Sequence, residues 1–223
     1  STYLQRKQDM RKKLMILRKV ISVIFIVTLF STNPVLAHHV MGGDLPVTFL
    51  SGFLSGLGHP IIGIDHLAFI LGMGLVSSLH RNPYFLPVAF LTGTLCGIFL
   101  KLTLIEFHMI EFAVACSVIL LGALVLRGKH LKVANLICIF AAAGMLHGYA
   151  YGDSIVGSEA APLTAYLMGL LAVQYAVSCL VIYFVSVSAT NRYSNTTVRL
   201  MGVVMIGVGL TFIATNMPIS SFS

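Results

Sequence analysis

The chain has 223 residues, of which 57% are hydrophobic and only 9% charged, with mean hydropathy +0.95 and formal net charge +7. A soluble domain carries roughly 25% charged residues, so a water-soluble globule is excluded and lipid must solvate much of the surface. The positive charge does not mark nucleic acid as a partner. Lys and Arg cluster at Arg6–Lys19, Arg127–Lys132 and Arg192–Arg199, beside apolar stretches, as membrane topology rules require.

Residues 10–37 open with the basic run Met10-Arg11-Lys12-Lys13, continue through apolar Val20–Phe30, and end at Pro34-Val35-Leu36-Ala37. This order matches a secretory signal cleaved after Ala37. An uncleaved anchor is the alternative, because the apolar run approaches the length of a span. Met10 reads as the natural start, with Ser1–Asp9 an over-extension.

Six later stretches approach the roughly 20 apolar residues that a spanning helix needs. They are Ile61–Leu79, Tyr84–Ile105, Phe107–Leu126, Leu131–Tyr151, Pro162–Val187 and Val198–Asn216. Leu45–Leu57 is a seventh, short and interrupted by Gly and Ser, and suits a re-entrant or half helix. The expected fold is therefore all-α, a polytopic transmembrane helix bundle of six spans plus a half helix. Glycines at helical spacing, Gly52/Gly56, Gly93/Gly97 and Gly202/Gly207/Gly209, predict close helix packing.

Parity tests this topology. With His38 outside, the loops His80–Pro83, Arg127–Lys132 and Asn191–Arg199 all fall in the cytoplasm, and acidic Asp153–Glu159 falls outside. Treating Leu45–Leu57 as a further full span reverses all four. The same order collects His38, His39, His59, His66, His108 and His147 near the outer face and leaves His80 and His130 inside.

Three constellations there suit a metal. His59-Pro60-Ile61-Ile62-Gly63-Ile64-Asp65-His66 places two imidazoles seven residues apart, two helical turns on one face, with a carboxylate beside the second. Pro60 and Gly63 argue for a broken helix lining a cavity. Imidazole nitrogen with carboxylate oxygen suits Ni2+, Co2+ or Zn2+ rather than Mg2+ or Ca2+. An interfacial helix cap is the alternative for these residues. His147-Gly148-Tyr149-Ala150-Tyr151-Gly152 ends the fourth span, and its His147 is either a ligand or a partner in an interhelical hydrogen bond. Downstream Glu159 is a further candidate ligand, or a loop acid at the start of the next helix. After cleavage, the His38 amine and the His39 imidazole form a nitrogen chelate for Ni2+ or Cu2+.

Other polar residues have plainer readings. Glu106, His108 and Glu111 form an interfacial loop or a cation funnel. Lys101 snorkels or pairs with Glu106. Gln174 lines a pore or bonds a neighbouring helix. Met41, Met73 and Met145 are packing residues that also suit a softer metal. Cys96, Cys116, Cys138 and Cys179 stand singly in apolar runs and mark neither a disulfide framework nor a thiolate site.

The H-P-x-x-G-x-D-H stretch at His59–His66 and the H-G-x-A-x-G stretch at His147–Gly152 resemble the two signatures of the HupE/UreJ family of hydrogenase- and urease-associated membrane proteins, over about His38 to the C-terminus. Many members carry His where this chain has Tyr151. That Tyr, with Gly157-Ser158-Glu159-Ala160-Ala161-Pro162, looks closer to the cyanobacterial type. The start His38-His39-Val40-Met41-Gly42-Gly43 also resembles that of cobalt and nickel ECF-type substrate-binding components, where the terminal amine and second-position His bind the metal.

The resemblance implies a secondary Ni2+ or Co2+ permease in a bacterial plasma (inner) membrane, with the mature N-terminus outside. Its expected metal ligands are His59, Asp65, His66, His147, His38, His39 and Glu159. The ion is cargo, no catalytic cofactor is expected, and the partners are the ion and the bilayer. Oligomeric state and any metallochaperone contact stay open. The runner-up readings are a metal-dependent membrane enzyme, which the absence of H-E-x-x-H disfavours, and an accessory or sensor protein that binds without transport. Cleavage predicts that the purified protein begins at His38; peptide mass mapping that recovers residues N-terminal to Ala37 would contradict it.

Overall fold

The computed structural model describes residues 45–103, 106–127, 131–187 and 196–216. The expected signal segment 1–37, and with it His38, His39 and Met41, lies outside the described residues. Those residues form seven α-helices and one short 3-10 turn: α1 Phe49–Ile62, α2 Ile64–Ser77, the turn Pro83–Phe85, α3 Leu86–Leu102, α4 Ile110–Arg127, α5 Val133–Gly152, α6 Ala160–Val187 and α7 Thr196–Asn216. α3 with the turn before it, and α4 to α7, are each long and apolar enough to cross a membrane; α1 and α2 pass that test only together and meet at a 78° bend, the form of a broken span or a re-entrant loop.

The break sits at Gly63, whose backbone is extended (φ −69°, ψ 103°). Thr48 caps α1 reciprocally with Ser51. Pro60 lies inside α1, where its missing N–H removes one helical bond, and the chain leaves the helix three residues later. The sequence reading began the first span at Ile61 and set a half helix before it. The structure has a helix on each side of this boundary, with α1 running on through His59 and Pro60 to Ile62 and α2 starting at Ile64. Alone, the 14 residues of α2 cover about 21 Å, short of the roughly 30 Å of hydrocarbon.

Three helix pairs approach backbone to backbone through glycine. Cβ atoms placed on Gly52 and Gly56 of α1 would lie within 2.3 Å and 2.1 Å of carbonyl oxygens of Pro162 and Tyr166 on α6. Gly93 and Gly97 of α3 face Ala141 O and Met145 O of α5, while Gly144 and Gly148 of α5 face Phe90 O and Thr94 O in return. Gly122 and Gly202 press α4 against α7. These contacts answer the predicted glycine spacing: without a hydrophobic drive between helices in lipid, small residues supply close packing.

The pairing also orders the two ends of the bundle. α1 and α6 run parallel from one face, where Lys101 pairs with Asp153 at 2.5 Å and the Phe107 N–H donates to the Tyr149 hydroxyl at 2.8 Å. The opposite face holds His80, whose Nε2 lies 3.2 Å from Leu131 O. Glu106, Glu111, Asp153 and Glu159 mark the first, acidic end; Arg81, Arg127, Lys132 and Arg199 mark the second, basic end. Lys101 thus takes Asp153 rather than the expected Glu106, with its ammonium also 5.0 Å from the Tyr149 ring centroid.

Phe69, Met73, Phe90, Leu121, Leu136 and Phe140 fill the centre, and Phe99, Leu180, Tyr183 and Phe184 face outward to lipid. Met73 is core and Met145 is exposed. All four cysteines are free. Gly148→Ala is expected to destabilise the bundle by about 1–3 kcal/mol, because its Cβ would meet Thr94 O. Leu180→Ala on the lipid face is expected to stay near the parent; thermal unfolding in detergent compares the two.

Candidate metal centre

The bend at Gly63 does what a straight helix would not. His59 comes from the last turn of α1 and His66 from the first turn of α2, and their ring centroids lie 5.9 Å apart, edge to face. The broken helix that Pro60 and Gly63 announce is present, and the two rings meet across the break rather than along one helical face. His147 reaches them from α5, with centroid 4.9 Å from that of His66. His59, Asp65, His66 and His147 are 3%, 0%, 1% and 0% exposed.

The hydrogen bonds assign the ring tautomers. Ser117 Oγ gives its one proton to Val114 O at 2.7 Å, so it accepts from His147 Nε2 at 2.9 Å. His147 Nδ1 then holds a lone pair and accepts from His66 Nδ1 at 2.8 Å, which leaves the lone pair of His66 on Nε2. His59 Nδ1 lies 3.0 Å from the Tyr166 hydroxyl and 3.2 Å from Ser154 Oγ, both of which donate to Tyr151 O. Ser154 Oγ also lies 3.2 Å from the Tyr166 hydroxyl, so His59 Nδ1 sits in a hydroxyl network anchored on Tyr151 O. His66 and His147 are thus held ring to ring, and His59 by its hydroxyl partners.

Asp65 adds a charge. Its Oδ1 accepts the His66 backbone N–H at 2.9 Å, and its Oδ2 is buried with no hydrogen-bond partner among the described residues. The N-terminal end of α2 favours the carboxylate, but a buried oxygen without a partner keeps a large desolvation cost. Aromatic rings wall the cluster: Phe69 and Phe90 against His147 at 4.7 and 5.5 Å, and Tyr151 over His66 at 4.3 Å. In such surroundings electrostatic attraction to a cation is weakly screened.

Among the described residues, no three His, Cys, Asp or Glu side chains are already arranged to hold a metal. The reason is the His66–His147 hydrogen bond, which turns two nitrogens on each other rather than on a common point. Glu159 is exposed, immediately before α6, and its carbonyl accepts from Leu163 N at 3.0 Å; it stands outside the cluster. His108 and Glu106 are exposed and 3.7 Å apart. Reading the residues in order missed Ser117, Ser154 and Tyr166, which orient the rings. Isolated hydroxyls inside apolar runs were the available signal, and nothing in their spacing tied them to a histidine.

Fold and site together define a polytopic membrane protein with a buried imidazole–carboxylate centre. Residues 26–212 match the profile of the HupE / UreJ protein family, and the chain belongs to that family, one of metal transport or accessory proteins linked to nickel and cobalt uptake and not a known enzyme class. It is 28% identical over 141 residues to Protein HupE of Rhizobium leguminosarum bv. viciae, covering 62% of this chain and 70% of that protein. No solved structure matches. Ser117→Ala leaves His147 Nε2–H without its acceptor; the expected loss is about 1–3 kcal/mol, read as a lower thermal midpoint in detergent.

Proposed function

We propose that the protein is a secondary permease that takes up Ni2+ or Co2+ through the His59, Asp65, His66 and His147 site near the extracytoplasmic face. The observation that carries this reading is Asp65 Oδ2, a buried carboxylate oxygen without a hydrogen-bond partner among the described residues, in the first turn of α2 beside buried His66. Intramembrane ionisable groups mark ion pathways, and this nitrogen and oxygen set fits a late first-row divalent ion.

The basic end of the bundle is cytoplasmic by the positive-inside rule, which puts the cluster and the Asp153–Glu159 turn on the outer side, in a bacterial plasma membrane. Acidic residues there, Glu159 among them, raise the local cation concentration. The His38 amine and His39 imidazole are further capture ligands at that mouth once the signal is removed. The ion loses water as it enters. His66 and His147 part, and their lone pairs turn to the ion together with Asp65. Both nitrogens of His147 are engaged beforehand, so its recruitment requires this rearrangement. The chain carries no ATP-binding motif, so coupling comes from a gradient or a partner. The chain acts on its cargo without changing it and is not an enzyme.

Whole-cell radiometal uptake tests the reading. His66→Ala and His147→Ala are each expected to lower Ni2+ or Co2+ uptake by roughly tenfold or more, in line with loss of a metal ligand. Parental uptake in both variants would sink the model with these ligands, and parental uptake in one removes that residue from the site. Purified protein that binds the ion yet gives no flux in liposomes would point to an accessory or sensor role.

A further inference from the structure

The histidine cluster does not use every buried polar group beside it. Gln174 sits mid-way along α6, 0% exposed, and neither its Oε1 nor its Nε2 has a hydrogen-bond partner among the described residues. The helix–helix hydrogen bond expected for it is not formed. The Tyr151 hydroxyl is likewise buried and without a partner. It lies next to the Gln174 carboxamide, short of a well-formed hydrogen bond, while its ring rests on His66. One turn further along α6 is Ser178, also 0% exposed, whose hydroxyl donates to Gln174 O at 2.8 Å. Gly74 lets the last turn of α2 lie directly against Ser178 O, and that turn ends at Ser77, whose Oγ is another buried atom without a partner among the described residues.

A polar trail therefore leaves the cluster along the α2–α6 seam toward the basic end. Buried carboxamides and hydroxyls are ordinarily satisfied, and leaving several open side by side is costly. A dehydrated cation, or the water it carries, supplies the missing partner.

We propose that Gln174, with the Tyr151 hydroxyl beside it, forms an oxygen-donor station for a divalent transition-metal cation between the histidine cluster and the basic end. The inference rests on the permease reading above. Neutral oxygen donors hold Ni2+ or Co2+ more weakly than imidazole. A weaker station past a stronger one lets the ion move on, since conduction needs sites that release as well as bind.

The test uses the full chain in liposomes, with Ni2+ as the probe for both flux and equilibrium binding. Gln174→Leu and Tyr151→Phe remove polar atoms that have no well-formed hydrogen bond among the described residues, so the thermal midpoint is expected to hold or rise. Ni2+ affinity at the cluster is expected to stay within about twofold, and flux to fall roughly tenfold for Gln174→Leu and several-fold for Tyr151→Phe. Gln174→Glu, which keeps an oxygen at the same reach, is expected to carry more flux than Gln174→Leu. Parental flux in Tyr151→Phe, together with parental flux or misfolding of Gln174→Leu, overturns the station. A parent protein that binds Ni2+ but moves none sinks the permease reading instead, and the station with it.

Discussion

A helix interrupted inside a membrane must still satisfy its backbone, and the Gly63 break is where this chain meets that demand. Gly63 N donates to His59 O at 3.0 Å and Gly63 O accepts from Leu67 N at 2.8 Å, so the ladder closes on both sides of the bend. A Cβ at Gly63 would lie 2.7 Å from His66 Cδ2, which reserves the position for a residue without a side chain. The bend then turns the end of α1 and the start of α2 toward one point. An irregular backbone at this depth is tolerated only where protein encloses it. Here α6 holds α1 through Gly52, Gly56 and Gly169, and α2 lies among α3, α4, α6 and α7.

The electrostatic character of the centre follows from that enclosure. Three imidazoles and one carboxylate are removed from solvent together, and each ring is fixed by a partner on another helix. Ser117 belongs to α4, Tyr166 to α6 and Ser154 to the turn after α5. The site is thus held by helices that the glycine contacts lock into pairs, and its geometry depends on packing several turns away. Asp65 Oδ2, the Tyr151 hydroxyl and the Gln174 carboxamide are buried polar atoms left without a hydrogen bond among the described residues. A rigid frame around an incompletely satisfied centre is the arrangement expected where a ligand comes and goes.

Much of this was readable residue by residue. Hydropathy located five of the six crossings to within a few residues, because the bilayer imposes a length on every apolar helix. Charge set the two ends, since Arg81, Arg127, Lys132 and Arg199 alternate with Glu106, Asp153 and Glu159 across successive spans. Glycine spacing announced the close pairs. The stretches Leu45–Leu57 and Ile61–Leu79 correspond to α1 and α2, but that α1 runs on to Ile62 was not legible, because Pro60 reads as a helix breaker and only packing along α6 carries the helix past it. The partner of Lys101 was equally hidden, since Asp153 reaches it through the parallel α3–α5 contact rather than through the chain.

The sequence by itself determined which solvent the protein lives in, where its long apolar helices run, and which residue types are available to hold a metal. These depend on composition and period, which are local. Tertiary structure decided that His59 and His66 meet across a bend rather than along one helical face, that His147 joins them while Glu159 stays outside, and that Ser117 and Tyr166 set the rings. It also decided that Gln174, beside the Tyr151 hydroxyl, has no well-formed hydrogen bond among the described residues. Those outcomes turn on which helix lies against which, and a one-dimensional pattern holds no distance between residues such as His66 and His147, 81 positions apart.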